Sequence, residues 1–306
     1  MKYLIIGAGG TGGSIAASMT EAGLDVSVIA RGEHLNAIKK SGITIEGTNR
    51  GTYTVTGVRA FDAADYHDSP DVILLCVKSY SAAELIPFIR ERAKDGTVLI
   101  PLLNIYELGA SLQKELKNLL VAEGCIYIAA EIKKAGVIRR RGDIFRVVFG
   151  QRENSERAAI FENIRDDFVK SSISTVLSDN IKRDAFRKYT FVSPMAACGQ
   201  YYDIEAAPMQ REGEERETFI NLVKELNSLA RAMGIDFGRD IVSMNLSILD
   251  ALSPSATASM QRDIRDGKSS EIDGLIYEAV RMGEKYNIAM PVYTKIAEKL
   301  KNIGNK

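Results

Sequence analysis

Gly7, Gly9 and Gly12 stand in G-x-G-x-x-G spacing directly after a short apolar run at residues 2–6. That spacing suits one task, holding a pyrophosphate against the main chain. Gly7 permits a tight turn, Gly9 keeps side-chain bulk away from the phosphates, and Gly12 lets the next helix pack close to the strand. The first N–H groups of that helix then face the anion. Gly10 and Thr11 lie in the same loop and belong to the same expected cradle. Residues 14–22 are small or apolar and suit a helix packed on a sheet, and residues 25–30 form a second apolar run. A glycine-rich turn with no ligand would not need this strand, helix and strand around it.

Arg31 follows the second run, where an NAD-binding chain usually places Asp or Glu on the ribose hydroxyl. A guanidinium suits a 2′-phosphate, because its planar fork donates paired bonds and never loses its charge. NADP is therefore expected over NAD. Two further polar residues follow apolar runs. Lys78 comes after DVILLCV and Asn104 after TVLIPLL. Ligands of open parallel sheets sit beyond the carboxyl ends of strands, so both are candidates for the nicotinamide side of the cofactor site. From spacing alone, a solvent-directed Lys78 is the other open reading, and for Asn104 a turn or helix cap is the favoured one.

Reduction of a ketone also needs a proton donor. The chain has two histidines, His34 and His67, and both are expected to be solvated, His34 near the adenine end. That leaves a lysine, a tyrosine or a carboxylic acid as the acid.

These residues must be carried by two kinds of structure. Residues 42–60 alternate in period two with a turn at 47–51, as in a hairpin or two sheet-edge strands. Continuous apolar runs near residues 71–77 and 97–103 suit buried parallel strands. Residues 79–94, 105–120 and 153–169 have helical spacing, and residues 172–177 suit a strand. Residues 125–150 suggest further strands closing the same sheet. From residue 178 onward every segment is helical in pattern. The expected fold is α/β: a Rossmann-type dinucleotide-binding domain at 1–178, then an all-α-helical domain at 179–306.

Composition narrows the function. The 306 residues carry 40 Lys plus Arg and 40 Asp plus Glu, a formal net charge of zero, which argues against a nucleic-acid or anionic-membrane partner. No apolar run is long enough to span a bilayer. Lys2 before apolar residues looks superficially like a signal peptide, but the glycine pattern needs that run as its first strand. Cys76, Cys125 and Cys198 have no metal spacing and suit a reducing cytoplasm, so no metal is expected.

The stretches IKRDAFRKYTFVSPMAACGQY at 181–201 and TASMQRDIRDGKSSEID at 257–273 are similar to the two signatures of the ketopantoate reductase family. The N-terminal glycine loop, Arg31, Lys78 and Asn104 fit the same family, in order, over essentially the whole chain. The resemblance implies NADPH-dependent reduction of a 2-keto acid, typically 2-dehydropantoate to (R)-pantoate in coenzyme A biosynthesis. It implies Lys188 as general acid, Glu271 on the substrate hydroxyl and holding the lysine, and Ser259 on the substrate carboxylate. Asn104 would lie where cofactor and substrate meet. From the residues alone, Lys188 also fits a solvated basic helix face, and Glu271 fits the first turn of a helix after a Ser270 cap.

The chain departs from the family pattern. Val192 and Ala196 stand four and eight positions after Lys188, where the family usually has asparagines, and Ala256 precedes Ser259 by three. Ser193 or Thr190 is a candidate replacement for the lost amides. Ile105 and Tyr106 follow Asn104 where glycine is common, and that bulk is expected to narrow access to the nicotinamide. Related oxidoreductases acting on another keto acid, hydroxy acid or imine stay open, as does a non-catalytic NADPH sensor. The helical domain also offers surfaces for a homodimer.

Overall fold

The computed structural model describes residues 1–152 and 159–301. The chain divides into two compact units. One comprises 1–103 and 107–181, the other 104–106 and 182–306.

The first unit opens β1 (Lys2–Ile6), α1 (Gly10–Glu21), β2 (Asp25–Ile29), α2 (Gly32–Ser41), then β3 (Ile43–Thr48), β4 (Gly51–Val55) and β5 (Arg59–Phe61). It continues through β6 (Val72–Leu75), α3 (Ile86–Arg92), β7 (Val98–Pro101), α4 (Leu108–Glu115), β8 (Leu120–Val121), β9 (Glu123–Lys134), β10 (Val137–Gly150), α5 (Ala159–Lys170) and β11 (Ser174–Leu177). Six strands form a parallel sheet in the order β5-β2-β1-β6-β7-β8. β6 and β7 are buried along their whole length, which explains their unbroken apolar sequence. The chain order reverses on either side of β1, the place where open α/β sheets bind ligands.

Two expectations change here. Residues 125–150 do not close the parallel sheet. β9 and β10 are long antiparallel partners in a second sheet, ordered β11-β10-β3-β4, with β9 paired to β10. β10 is long enough to carry β3 beside Val137–Arg139 and β11 beside Arg146–Phe149. Residues 79–94 are not one helix: two 3-10 turns precede α3. Pro87 lacks an N–H and is tolerated only in a first turn, so the α-helix starts beside it. The start of the helix expected at 153–169 lies outside the described residues.

The second unit is helical: α6 (Ile181–Tyr202), α7 (Ala206–Met209), α8 (Glu214–Ala232), α9 (Ile241–Asp250), α10 (Ser259–Arg265), a π-helical turn at Asp273–Tyr277, α11 (Glu278–Tyr286) and α12 (Pro291–Leu300). Its core gathers Phe186, Tyr189, Phe219, Leu226, Ile276 and Tyr293. Glu225 of α8 accepts the Val292 and Tyr293 N–H groups at 2.7 and 3.1 Å, capping the start of α12. Among the described residues no helix is long and apolar enough to cross a membrane, and no cluster of ligating side chains could hold a metal.

The π turn is the irregular piece. Widening the helix by one residue misaligns backbone carbonyls from their usual donors. Buried side chains of α6 take them up: the Tyr189 hydroxyl lies 3.0 and 3.2 Å from the Gly274 and Leu275 carbonyls, and Ser193 Oγ donates to Leu275 at 2.5 Å. Tyr293 then donates to Ser193 at 2.6 Å. α6 and the turn that follows Glu271 are thereby locked to one another.

Candidate active site

In the first unit the glycine loop has the geometry its spacing predicts. Gly7 has φ +103°, a conformation side chains resist, and its N–H bonds the Ile29 carbonyl at 3.2 Å, tying β1's end to β2. A Cβ on Gly12 would overlap the Gly7 carbonyl oxygen and come within 2.8 Å of the Cys76 side chain. A Cβ on Gly9 would meet nothing within 4 Å, so that side of the loop is open. Gly10 packs against the β9 backbone at Ala130, and Thr11 is partly exposed in the first turn of α1. α1 has no side-chain cap, so its first N–H groups are presented to a ligand. An open face above uncapped N–H groups fits a dinucleotide pyrophosphate.

Arg31 is exposed at the N-cap of α2, immediately after β2. Lys78 follows β6 in extended conformation, part-exposed, beyond the strand beside β1. His67 is exposed, as expected. His34 is not solvated: its ring is half-buried, with Nε2 2.8 Å from the Ala8 carbonyl and Nδ1 3.1 Å from the Gly136 amide.

In the second unit, Lys188 lies on α6 and is 8% exposed, so it does not stand on a solvated basic face. Its Nζ donates to Asn104 Oδ1 at 2.6 Å. The short segment 104–106 is fixed by its own bulk. Tyr106 packs edge-on against Phe186 at 4.7 Å and near Tyr189 at 6.3 Å, and the Ile105 side chain fills the space beside Gly274. This packing anchors Asn104 to Lys188. Glu271 is 4% exposed, and its carbonyl accepts Leu275 N–H at 3.0 Å as the chain enters the π turn. It is a buried carboxylate, not an exposed first-turn one. Ser259 is the first residue of α10 and is part-exposed.

Ser193 and Thr190 do not replace missing amides. Both are fully buried; Ser193 serves Leu275 and Tyr293, and Thr190 bonds the Arg187 carbonyl and accepts from Asn245. Ala196 is likewise buried in the helical core, while Val192 packs on its margin. Sequence reasoning missed Asn245, whose Nδ2 donates to the Thr190 carbonyl and hydroxyl, each at 3.0 Å. An asparagine in the apolar stripe IVSMNLSIL was the available signal. It also missed Glu123, at the head of β9, whose carboxyl burial pushes up to about 7 against the pull of Arg152 at 3.5 Å.

Comparison with known proteins decides the family. The profile described as Ketopantoate reductase PanE/ApbA matches residues 3–154, and that of the Ketopantoate reductase PanE/ApbA C terminal matches residues 180–304. The chain belongs to the ketopantoate reductase family. It is thus an NADP-dependent oxidoreductase that reduces a keto acid, and the family's reaction leads to pantothenate and coenzyme A. The uncharacterized oxidoreductase YkpB of Bacillus subtilis is 25% identical over 297 residues, 95% of each chain. The 2-dehydropantoate 2-reductase of Pyrococcus horikoshii is 24% identical, over 95% of this chain and 94% of its own. The ketopantoate reductase structure from Ralstonia eutropha superposes with a TM-score of 0.89 at 24% identity, covering 100% of this chain and 99% of that one. D-mandelate dehydrogenase, in a ternary structure with NADH and anilino(oxo)acetate, has the same fold, with a TM-score of 0.88 at 21% identity and coverage of 100% and 99%.

Proposed function

We propose that this enzyme reduces 2-dehydropantoate to (R)-pantoate, with Lys188 as general acid. The observation that carries the reading is the 2.6 Å bond between the buried Lys188 ammonium and Asn104. NADPH, when bound, supplies the hydride. Lys188 gives its proton to the alkoxide oxygen that develops on the substrate carbonyl. Asn104, an acceptor on Nζ, fixes the direction in which the remaining N–H bonds point. Glu271 accepts from the substrate hydroxyl, and Ser259 donates to its carboxylate. In the first unit, Gly7, Gly9, Gly10, Thr11 and Gly12 hold the pyrophosphate, Arg31 holds the 2′-phosphate, and Lys78 serves the nicotinamide end, as does Asn104 of the second.

A second reading has a specific observation behind it. Val192 puts an apolar group where the family usually has an asparagine, and Ala256 one where some relatives have a polar substrate ligand, which favours a 2-keto acid with an apolar or aromatic side chain, as D-mandelate dehydrogenase accepts in name. A buried lysine and a buried glutamate count against a non-catalytic sensor. Turnover of 2-dehydropantoate against branched aliphatic and phenyl 2-keto acids, followed by NADPH absorbance, separates the two. On the first reading kcat/KM for 2-dehydropantoate exceeds the others by about tenfold or more, since a site built for a hydroxyl rejects analogues lacking it. A preference for the phenyl or aliphatic acid overturns it.

Arg31→Ala is expected to weaken NADPH binding by about 10- to 100-fold while changing NADH affinity little, because the lost bonds are charge-assisted and reach only the 2′-phosphate. Equal losses for both nucleotides would remove Arg31 from that role. We also propose a cytoplasmic homodimer. Support comes from three cysteines outside any disulfide, and from the fold shared with the dimeric ketopantoate reductase of Staphylococcus aureus, TM-score 0.85.

A further inference from the structure

His34 joins three segments of the first unit. It lies in the first turn of α2, three residues after Arg31. Its Nε2 faces the carbonyl of Ala8, the residue between Gly7 and Gly9, and its Nδ1 faces the amide of Gly136 in the turn between β9 and β10. The proton positions follow from the partners. A backbone N–H only donates, so Nδ1 is the bare nitrogen; a carbonyl only accepts, so Nε2 carries the proton. Neutral imidazole in this tautomer satisfies both bonds. Imidazolium satisfies one, and its added proton confronts the Gly136 N–H at 3.1 Å.

The Ala8 carbonyl shares a planar, trans peptide unit with the Gly9 N–H, and the two point in opposite directions. Holding the carbonyl toward α2 therefore aims the Gly9 N–H away from it. Gly9 is also the residue on which a Cβ would meet open space.

We propose that His34 is a positioning residue for the dinucleotide: when neutral it pins the Ala8–Gly9 peptide so that the glycine loop presents its N–H to the pyrophosphate, and when protonated it releases that peptide. This rests on the reading of Gly7 to Gly12 as the cofactor cradle. Burial lowers the ring's pKa below its ordinary value, opposed by the Ala8 carbonyl, so the neutral form dominates at neutral pH. The lock is present at neutral pH and is lost as pH falls through that lowered value.

The glycine loop, residues 7–13, carries no titratable side chain. Charged groups on the other contacting elements are Arg31, Glu33, Lys39 and Lys40 on α2, Glu131, Lys133 and Lys134 on β9, with Glu123 at the opposite end of that strand from Gly136, and Arg139, Arg140, Arg141, Asp143 and Arg146 on β10. Lys133 is paired with Glu46, and Glu131 with Arg141. Attraction between an imidazolium and the ligand's phosphates works against the proposed sign. Both ring nitrogens are aimed at backbone, however, so that attraction acts at a distance, while the lost bond acts on the cradle itself.

The test uses NADP⁺, since the reduced form decays in acid. Calorimetric Kd values are compared at about pH 8 and about pH 5.5 for the native enzyme and His34→Gln, which keeps a donor for Ala8 and does not titrate. The ligand's 2′-phosphate itself gains a proton near pH ~6, and the Gln variant measures that part. The native Kd is expected to rise severalfold more than the variant's between the two conditions, and by no more than about tenfold, the ceiling set at that acid pH by a midpoint below the ordinary histidine value. With two histidines in the chain, NMR with His67→Gln for assignment follows the His34 ring directly. Saturating NADP⁺ must lower its titration midpoint, by reciprocal linkage. Equal acid sensitivity in both proteins, or a midpoint unmoved or raised by NADP⁺, overturns the proposal. Absence of NADP⁺ binding to the native enzyme at about pH 8 is a different result: it removes the cradle reading, and this inference with it.

Discussion

Lys188→Ala is expected to lower kcat by about a thousandfold, the range a positioned general acid contributes, while NADPH affinity stays within about twofold. The split follows from where the residue sits. Lys188 belongs to the helical unit and bonds Asn104, whereas the glycine loop and Arg31 belong to the other unit. Truncation also leaves the Asn104 carbonyl oxygen without its ammonium, so a modest fall in melting temperature accompanies the loss. Lys188→Arg separates charge from proton donation. It keeps a cation but holds its proton far above working pH, so it should be nearly as slow as the alanine variant. Steady-state NADPH oxidation and fluorescence titration of NADPH make the measurement. Near-normal turnover by either variant would remove Lys188 from the proton-transfer step.

Gly12→Val and Gly9→Ala should fail in different ways. At Gly12 there is no room: even one added carbon overlaps the Gly7 carbonyl and crowds Cys76 and Ile5, and a β-branch adds further bulk there. The α1 N-terminus must move off β1, so NADPH binding should fall by about a hundredfold or more and stability by about 1–3 kcal/mol, the usual scale of overpacking. At Gly9 there is room within the chain, so the fold should melt normally. The added methyl then occupies the space left for the pyrophosphate, and binding alone should suffer. Thermal melts beside NADPH titrations distinguish the two. A Gly9→Ala protein that binds NADPH at native affinity would show that the pyrophosphate does not lie over this loop.

The polar contacts inside the first unit show why sequence reading stopped where it did. His34 and His67 look alike in sequence, each beside polar neighbours. Only the fold brings Ala8, 26 residues earlier, and Gly136, 102 residues later, to the two nitrogens of one ring. The second sheet was missed for a similar reason. An apolar alternating run announces a strand, but not which partner it pairs with, and β10 found β3 and β11 where closure of the parallel sheet was expected.

What the amino-acid order determined by itself was local. The glycine turn, the buried parallel strands, the basic residue after β2 and the change to helix near residue 180 each depend on backbone conformation or periodicity within a few residues. Those preferences act before the chain is compact. Tertiary structure decided which side chains meet. Lys188 and Asn104 are 84 residues apart and touch because Tyr106 packs on Phe186; Ser193 and Thr190 are withdrawn from any ligand because a π turn and Asn245 claim them. A hydrogen bond between distant residues exists only when packing fixes both ends within about 3 Å and in the right direction, and no local pattern encodes that.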